Sequence, residues 1–528
     1  MKIGRIALLC LPLLLSSCRR NDTTTPVNPP DNPVDPTPTY DVVINEEEYY
    51  DKTLGAITAA LWGNFSGLPT EFKFITAPSS EELPWLVSET YSTDDDTSLE
   101  YVFTHTMETY GVNDVTYTDI VREWKDHIRD YIWVGNESAK KLMDQGYLPP
   151  DTGSKKYNPN YRAIDAQIEC EVFGLIAPGM KTNAKERCDW WMASVCDGEA
   201  KDCASFYSAL CAELYVEPNA IKAIENVMEL YDDTSNAKAI ASKVLSLREN
   251  EKITWLGARQ KLYEDYYLYN PGRKQDTLDC EINFSMVLMA LAFGNNDFKE
   301  TGQIALRAGF DNDCNAATAC MMMGIALGYE GLPEDLKEKS GIIYTNTNRP
   351  GLPNDTTTNW SERICKLGKQ NMLENKAIIE NKEIKVNDAN YISNDYSTFN
   401  EEIYEASNEA LNGDFQLIYN PEFSSKYGLA SDTKNEELTF TFSGEMVSIY
   451  AQTAIESGSF EIFVDETSYG IINLDQSETI TLGQNIDHIS NTLVKRIYHL
   501  ENKEHNVKIV NLMDSTIEID HIGYGIAE

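Results

Sequence analysis

Basic residues are scarce in this 528-residue chain: 44 Lys and Arg stand against 84 Asp and Glu, a formal charge of −40. Nucleic acid and anionic lipid surfaces are both recognised through clustered cations, so neither is expected as a partner of the folded surface. Histidine is rarer still. The six histidines, His105, His127, His488, His499, His505 and His521, show no spacing of ligands or of a nucleophile's partners, which argues against His-based acyl chemistry. No CxxC pair and no Cys/His ligand spacing is present, so zinc is not expected. No segment is apolar for the roughly 20 residues that a spanning helix requires.

The first residues are of a different kind. In MKIGRIALLCLPLLLSSC, Lys2 and Arg5 precede an apolar run from Ile6 to Leu15 and the small pair Ser16-Ser17. This is the pattern of a secretory signal, and Leu15-Ser16-Ser17-Cys18 resembles the lipobox at which bacterial lipoproteins are cut and acylated. The expectation is a signal peptide over 1–18 with Cys18 as the lipidated residue, anchoring the protein in the cell envelope on a bacterial membrane, the outer membrane first. Residues 19–44 are rich in Pro, Thr, Asn and Asp and predict a solvated tether. Of the eleven cysteines, nine lie beyond Cys18, and Cys188, Cys196, Cys203 and Cys211, seven or eight apart, are candidates for a bridge or two in an oxidising envelope.

From 45 to 378 the pattern is helical. LGAITAALW (Leu54–Trp62) is apolar all round, Leu99, Val102, Phe103 and Met107 follow helical spacing, and AATACMMMGIAL (Ala316–Leu327) is rich in small residues and Met, as in helices that pack backbone to backbone. No alternating strand is evident there. Beyond 420 the period changes to two: ELTFTF, MVSIYAQ, SFEIFVDE, YGIINL, HNVKIVNL and STIEIDHIGY predict short strands of a sandwich. The polar, acidic stretch 379–419 reads as a connector.

Two acidic clusters precede helical segments. In YSTDDDTSLEY (Tyr91–Tyr101), Asp94, Asp95 and Asp96 stand side by side, although each raises the cost of ionising the next. A helix cap accounts for one of them. Far along the chain, in Ala308–Thr318, Asp311 and Asp313 again sit before a helix of small residues, behind Gly309. Capped helix ends with solvated acidic turns are one reading. The other is that both clusters converge on a hard divalent cation, which is held by carboxylate oxygens and water.

The ordered set AALWGNFSGLPTE, TDDDTSLEY and GFDNDCNAATACMMMGIALG resembles the ADP-ribosylglycohydrolase family, which includes the dinitrogenase reductase-activating glycohydrolases. The resemblance implies an all-α fold over 45–378 and one or two Mg²⁺ ions that grip ribose hydroxyls and orient water against an N- or O-glycosidic bond. Asp95, Asp96, Asp311 and Asp313 match its paired aspartates and, with Asp94 and Cys314 beside them, are the metal candidates; Glu71 matches the glutamate that closes the first motif and, with Asp96, is the catalytic candidate. Asn64 stands where the family usually has Asp, Asp94 where it has the first Thr of Thr-Asp-Asp-Thr, and Cys314 where a Thr hydroxyl often ligates metal; a thiol is a poor ligand for Mg²⁺. Asn64, Gln167 and Glu171 are the candidate substrate contacts, the last two because four residues apart on a helix they share a face. The C-terminal run resembles galactose-binding-like jelly rolls, with Tyr450, Tyr469 and Tyr498 as candidate sugar platforms. The expected protein is thus a helical domain followed by an all-β jelly-roll sandwich over 420–528. It acts on a small-molecule or glycan substrate, touches the membrane through its anchor alone, and binds no nucleic acid. A non-catalytic, glycan-binding lipoprotein on the same fold is the alternative.

Overall fold

A computed structural model describes residues 40–92, 94–269, 275–390, 399–475, 488–497 and 500–527. The expected signal peptide, Cys18, most of the tether and Tyr498 lie outside the described residues. Helix α1 (Glu46–Gly67) starts where Asn45 accepts the Glu47 N–H at 2.8 Å, with three glutamates in its first turn beside the positive end of the dipole. From Thr53 onward almost every side chain is buried, because α1 runs through the middle of the helical domain against the helix Asn312–Leu327. Glycines set that crossing: a Cβ on Gly55 would lie 2.6 Å from the Gly324 carbonyl oxygen, and one on Gly63 2.2 Å from that of Ala316. Helices α2 (Asp95–Tyr110), α3 (Tyr117–His127), α4 (Val134–Asp144) and α5 (Glu171–Leu175) follow. Together with the later helices they enclose one apolar core.

The helical region also contains strands that the sequence pattern does not reveal. Thr90–Ser92 pairs in parallel with Ile343–Thr345, which pairs with Asp355–Thr356. Val42–Asn45 pairs with Glu383–Val386, itself joined to Ile378–Glu380. Strands of two to four residues are too short for a period of two to register. The first of these small sheets delivers the chain to Asp94.

Two antiparallel sheets follow. One holds Gln416–Tyr419, Tyr427–Ser431, Met446–Ala454, His488–Ile497 and Ile517–Ala527, with Phe399–Glu405 added to the last; the other holds Asn412–Gly413, Glu437–Gly444, Ser459–Val464, Thr467–Asn473 and Lys503–Asn511. Phe440, Phe442, Val447, Ile449, Phe460, Ile462 and Ile509 fill the space between them. The supposed connector 379–419 is therefore largely structure, part of it hairpin with the start of the helical domain and part of it sandwich strands from Phe399 on. Strands with an exposed face can be polar, and that made them resemble a linker.

The two domains share a buried ion pair. Thr116 and Asp119 form a capping box at the start of α3, and Arg496 of the sandwich donates to Asp119 at 2.5 Å and to Thr116 at 3.1 Å, with 4% and 1% of the Arg and Asp side chains exposed. Arg122 lies 4.5 Å over the Tyr450 ring, and Tyr450 stacks on His521 at 4.2 Å. Tyr450 is thus committed to the domain joint rather than open to a sugar. The expected bridges do not form: all nine cysteines among the described residues are free and buried. Cys203 and Cys211 show why, since eight residues along one helix separate them by roughly 12 Å, beyond disulfide reach.

Candidate metal centre

The backbone brings the two acidic clusters together. Gly67 ends α1 against the start of the Asn312–Leu327 helix so closely that a Cβ there would lie 2.2 Å from the Asp313 Cα. Gly309 (φ 83°) and Phe310 (φ 63°) both occupy the left-handed region, and a Cβ on Gly309 would fall 1.8 Å from the Phe74 carbonyl oxygen, so this turn tolerates only glycine at its first position. The Phe72 N–H donates to the Phe310 carbonyl and Asn312 donates to Thr70, tying the loop that carries Glu71 to the same turn.

Asp94, Asp95 and Asp96 offer oxygens within 4.8 Å of one another, as do Glu71, Asp311 and Asp313, while Asp96, Asp313 and Cys314 link the two sets. Neither acidic N-cap is used as a cap: Asp94 and Asp311 make no side-chain capping bond to their helices. Instead the Asn64 amide donates to Asp94 at 2.7 Å and also to Asp96. Buried oxygens with no hydrogen-bond partner converge here: Asn64 Oδ1, Asp96 Oδ1, Asp311 Oδ1 and Asp313 Oδ1.

Burial raises every carboxyl in this group, and for all but Asp94 a neighbouring carboxylate adds to it. Asp95, Asp96 and Asp311 lie well above the usual range. Asp313 is pushed up to about 7, by burial and by Glu71, and Glu71 itself is raised by burial and Asp94. Buried anions without a counter-charge are strongly unfavourable. An all-oxygen donor set with orphaned lone pairs fits a hard divalent ion and relieves that repulsion.

The ADP-ribosylglycohydrolase family matches residues 45–356, more than half of the chain. The chain belongs to this family. No curated protein matches it. Among solved structures, an "ADP-ribosylglycohydrolase-related protein complex" is 14% identical, with 61% of this chain and 99% of that one covered at a TM-score of 0.37. A two-domain esterase active on acetylated mannans is 14% identical over 24% of this chain and 37% of its own, with a TM-score of 0.20. A family two carbohydrate esterase from Cellvibrio japonicus is 13% identical over 24% and 34%, with a TM-score of 0.18. The chain thus spans about a third of the length of these esterases. At such TM-scores none of the three likenesses carries an argument, and the placement in the family rests on the match over 45–356.

In this glycohydrolase-like domain, Asp94, Asp95, Asp96, Asp311 and Asp313 meet, and Glu71 stands exposed at their rim. Asn64 is buried and spent on Asp94 and Asp96, so it positions the cluster and does not face a substrate. The thiol of Cys314 is held far above its usual range by burial and the surrounding aspartates, which leaves it protonated beside Asp311. The shared helix face of Gln167 and Glu171 does not exist. Gln167 closes a 3-10 turn and Glu171 opens α5, with residues between them outside both. Gln167 donates to the Cys280 carbonyl at 3.0 Å, and Glu171 accepts from Thr318 at 2.6 Å while burial lifts it to about 7. Both are interior residues.

Other members of the site escaped the sequence. Glu169, between those two, is fully buried beside the Asn136 amide, and burial, Asp165 and Asp95 raise it. Arg349 brings a cation, donating to Ser98 at 2.9 Å and to the carbonyls of Asp130 at 2.8 Å and Tyr131 at 3.0 Å. Tyr131 (φ 56°) and Trp133 form an exposed edge-to-face pair 4.8 Å apart, and partial burial, then Asp94, Asp95 and Glu71, raise the Tyr131 hydroxyl. Exposed aromatics were the available signal.

Proposed function

We propose that this protein is a Mg²⁺-dependent glycosyl hydrolase, lipid-anchored through Cys18 at the cell envelope, that cleaves an N- or O-glycosidic bond of an ADP-ribosyl or related sugar. One observation carries the reading: two acidic helix ends, neither capped by its side chain, meet in one cluster in which buried carboxylate oxygens lack a partner. Asp94, Asp95, Asp96, Asp311 and Asp313 are the residues that would hold one or two ions, with the Asn64 amide positioning Asp94 and Asp96. A divalent ion in this position supplies the charge that orients sugar hydroxyls and makes water a better nucleophile.

The protein's own groups do the rest. Glu71, exposed and with a raised carboxyl, is the member that exchanges protons with solvent and substrate, and acts as general base. Asp96, buried under the Asn64 amide, serves the ion and not the proton. Tyr131 and Trp133 offer a face on which a sugar or base ring stacks.

A screen of ADP-ribosylated arginine and serine and of simple N- and O-glycosides tests the proposal, with Mg²⁺ added and withdrawn. Turnover should require the ion, and Glu71→Gln should lower kcat by about 10²–10⁴-fold with little change in Mg²⁺ affinity. Mg²⁺ binding that survives Asp95→Asn with Asp313→Asn would refute it.

The sandwich supports a second reading, a non-catalytic glycan binder. A cleft of about 590 Å³ lies on one sheet, lined by Asn412, Thr441, Phe463, Asn506 and Lys508 among others. Glycan binding by the full chain that Phe463→Ala abolishes, without turnover in the screen, would favour it.

A further inference from the structure

Sequence spacing shows no ligand pattern among the histidines, and zinc was not expected, yet the fold joins two of them to a buried acid. His105 lies in the third turn of α2; Glu123 and His127, four residues apart, share a face of α3. Each offers a ligand atom within 4.8 Å of the other two. Glu123 Oε2 is 3.5 Å from His127 Nε2 and 3.7 Å from His105 Nε2, and the two imidazoles meet edge to face with centroids 5.1 Å apart.

From these residues we infer a second metal site, a His105–Glu123–His127 centre for a first-row transition ion such as Zn²⁺, apart from the acidic cluster. Four observations support it. The separations are too long for N–H···O hydrogen bonds, which close at about 2.7–3.2 Å. They lie close to the edge of a tetrahedron around an ion with bonds of about 2.0–2.1 Å, an edge of roughly 3.4 Å. Glu123 Oε2 is buried and accepts no hydrogen bond, while Oε1 is held by the Tyr110 hydroxyl at 2.9 Å. His127 Nδ1 sits 2.6 Å from the Pro350 carbonyl oxygen, a bond that places the proton on Nδ1 and leaves the Nε2 lone pair facing the carboxylate. Metal-bound histidines are held by such outer bonds.

Two nitrogens and one oxygen suit zinc, copper or nickel better than Mg²⁺ or Ca²⁺, which take oxygen sets. His105 and His127 keep 32% and 15% of their side chains exposed, so an ion has a way in and a fourth position for water. One contact competes: Thr109 Oγ1 lies 3.4 Å from His105 Nε2, but that hydroxyl already donates to the His105 carbonyl at 2.9 Å. The cation facing His105, Arg363, is neutralised by Glu108 at 2.6 Å and Asp355 at 2.7 Å. The ion would brace α2 and α3 against the Pro350 loop, whose Arg349 reaches the acidic cluster's wall.

Titration of the metal-stripped full chain with Co²⁺ tests the site. One equivalent should give the intense visible absorption of four-coordinate Co²⁺, which Zn²⁺ abolishes. Glu123→Gln and His127→Asn should each weaken binding by on the order of 100-fold or more, while Asp95→Asn with Asp313→Asn leaves the spectrum in place. Melting of the metal-free variants establishes that they fold; should either fail, the wild-type spectrum decides alone. No four-coordinate Co²⁺ band in the wild type, or equal bands in the folded variants, overturns the site.

Discussion

Replacing Asp313 by Asn should stabilise the metal-free protein, a direction opposite to that of most buried substitutions. Asp313 is pushed up to about 7 in the folded chain from an ordinary value of 3.8, by burial and then by Glu71. A carboxyl whose folded value is raised binds its proton more tightly when folded, so its penalty is absent below 3.8, grows as pH rises, and is complete above about 7. At 1.36 kcal/mol per pH unit, that gap amounts to about 4 kcal/mol at neutral pH, an upper value because neighbouring carboxyls share the repulsion. Asn is nearly isosteric and carries no charge. The metal-free variant should therefore melt a few degrees above the metal-free wild type at pH 7.5, the difference shrinking toward pH 5. Mg²⁺ should reverse the order, raising the wild type by RT ln(1 + [Mg²⁺]/Kd) and leaving the variant unmoved. Calorimetry at both pH values, with and without Mg²⁺, provides the comparison. If Asp313→Asn destabilises the metal-free protein at pH 7.5, Asp313 is an ordinary structural residue and the ion-site reasoning fails.

Gly67→Ala should cost on the order of 1–3 kcal/mol and weaken Mg²⁺ binding as well, because its Cβ would lie 2.2 Å from the Asp313 Cα and push one half of the site from the other; a melt paired with Mg²⁺ titration measures both. Arg496→Met leaves Asp119 buried without its cation across the domain joint, and should cost roughly 3–5 kcal/mol. In calorimetry it should split one transition into two as the sandwich uncouples.

What the sequence discloses depends on range. The convergence of Asp94–Asp96 with Asp311 and Asp313 was legible because each cluster is a local motif, glycine and aspartates before a helix, and their order along the chain carries the family pattern. The sandwich was legible from its period of two. Gln167 and Glu171 are four apart without sharing a helix, because the 3-10 turn ends at Ile168 (φ −95°, ψ 2°) and α5 starts only at Glu171. His105 and Glu123 sit on different helices, so no spacing along the chain announces their meeting. Arg349 and Tyr131 reach the site from loops more than two hundred residues apart, joined by a side-chain bond to a backbone carbonyl that no pattern of residue types encodes.

Asn64 and Asp94 bear on whether the site still works. The family resemblance implies Asp at position 64 and Thr at position 94, where this chain has Asn64 and Asp94. The fold sets these two side chains 2.7 Å apart, so the Asp94 carboxylate stands beside the position where the resemblance implies one. A carboxylate on either side of this hydrogen bond supplies negative charge to the cluster. Asn64 also supplies a donor, since its amide holds both Asp94 and Asp96. Asn64→Asp alone should add repulsion, and Asp94→Thr alone should remove a charge, each altering Mg²⁺ affinity. The pair made together should restore it, with a coupling energy of about 0.5–3 kcal/mol in a double-mutant cycle. Strict additivity would mean that the two positions do not act on a common ion.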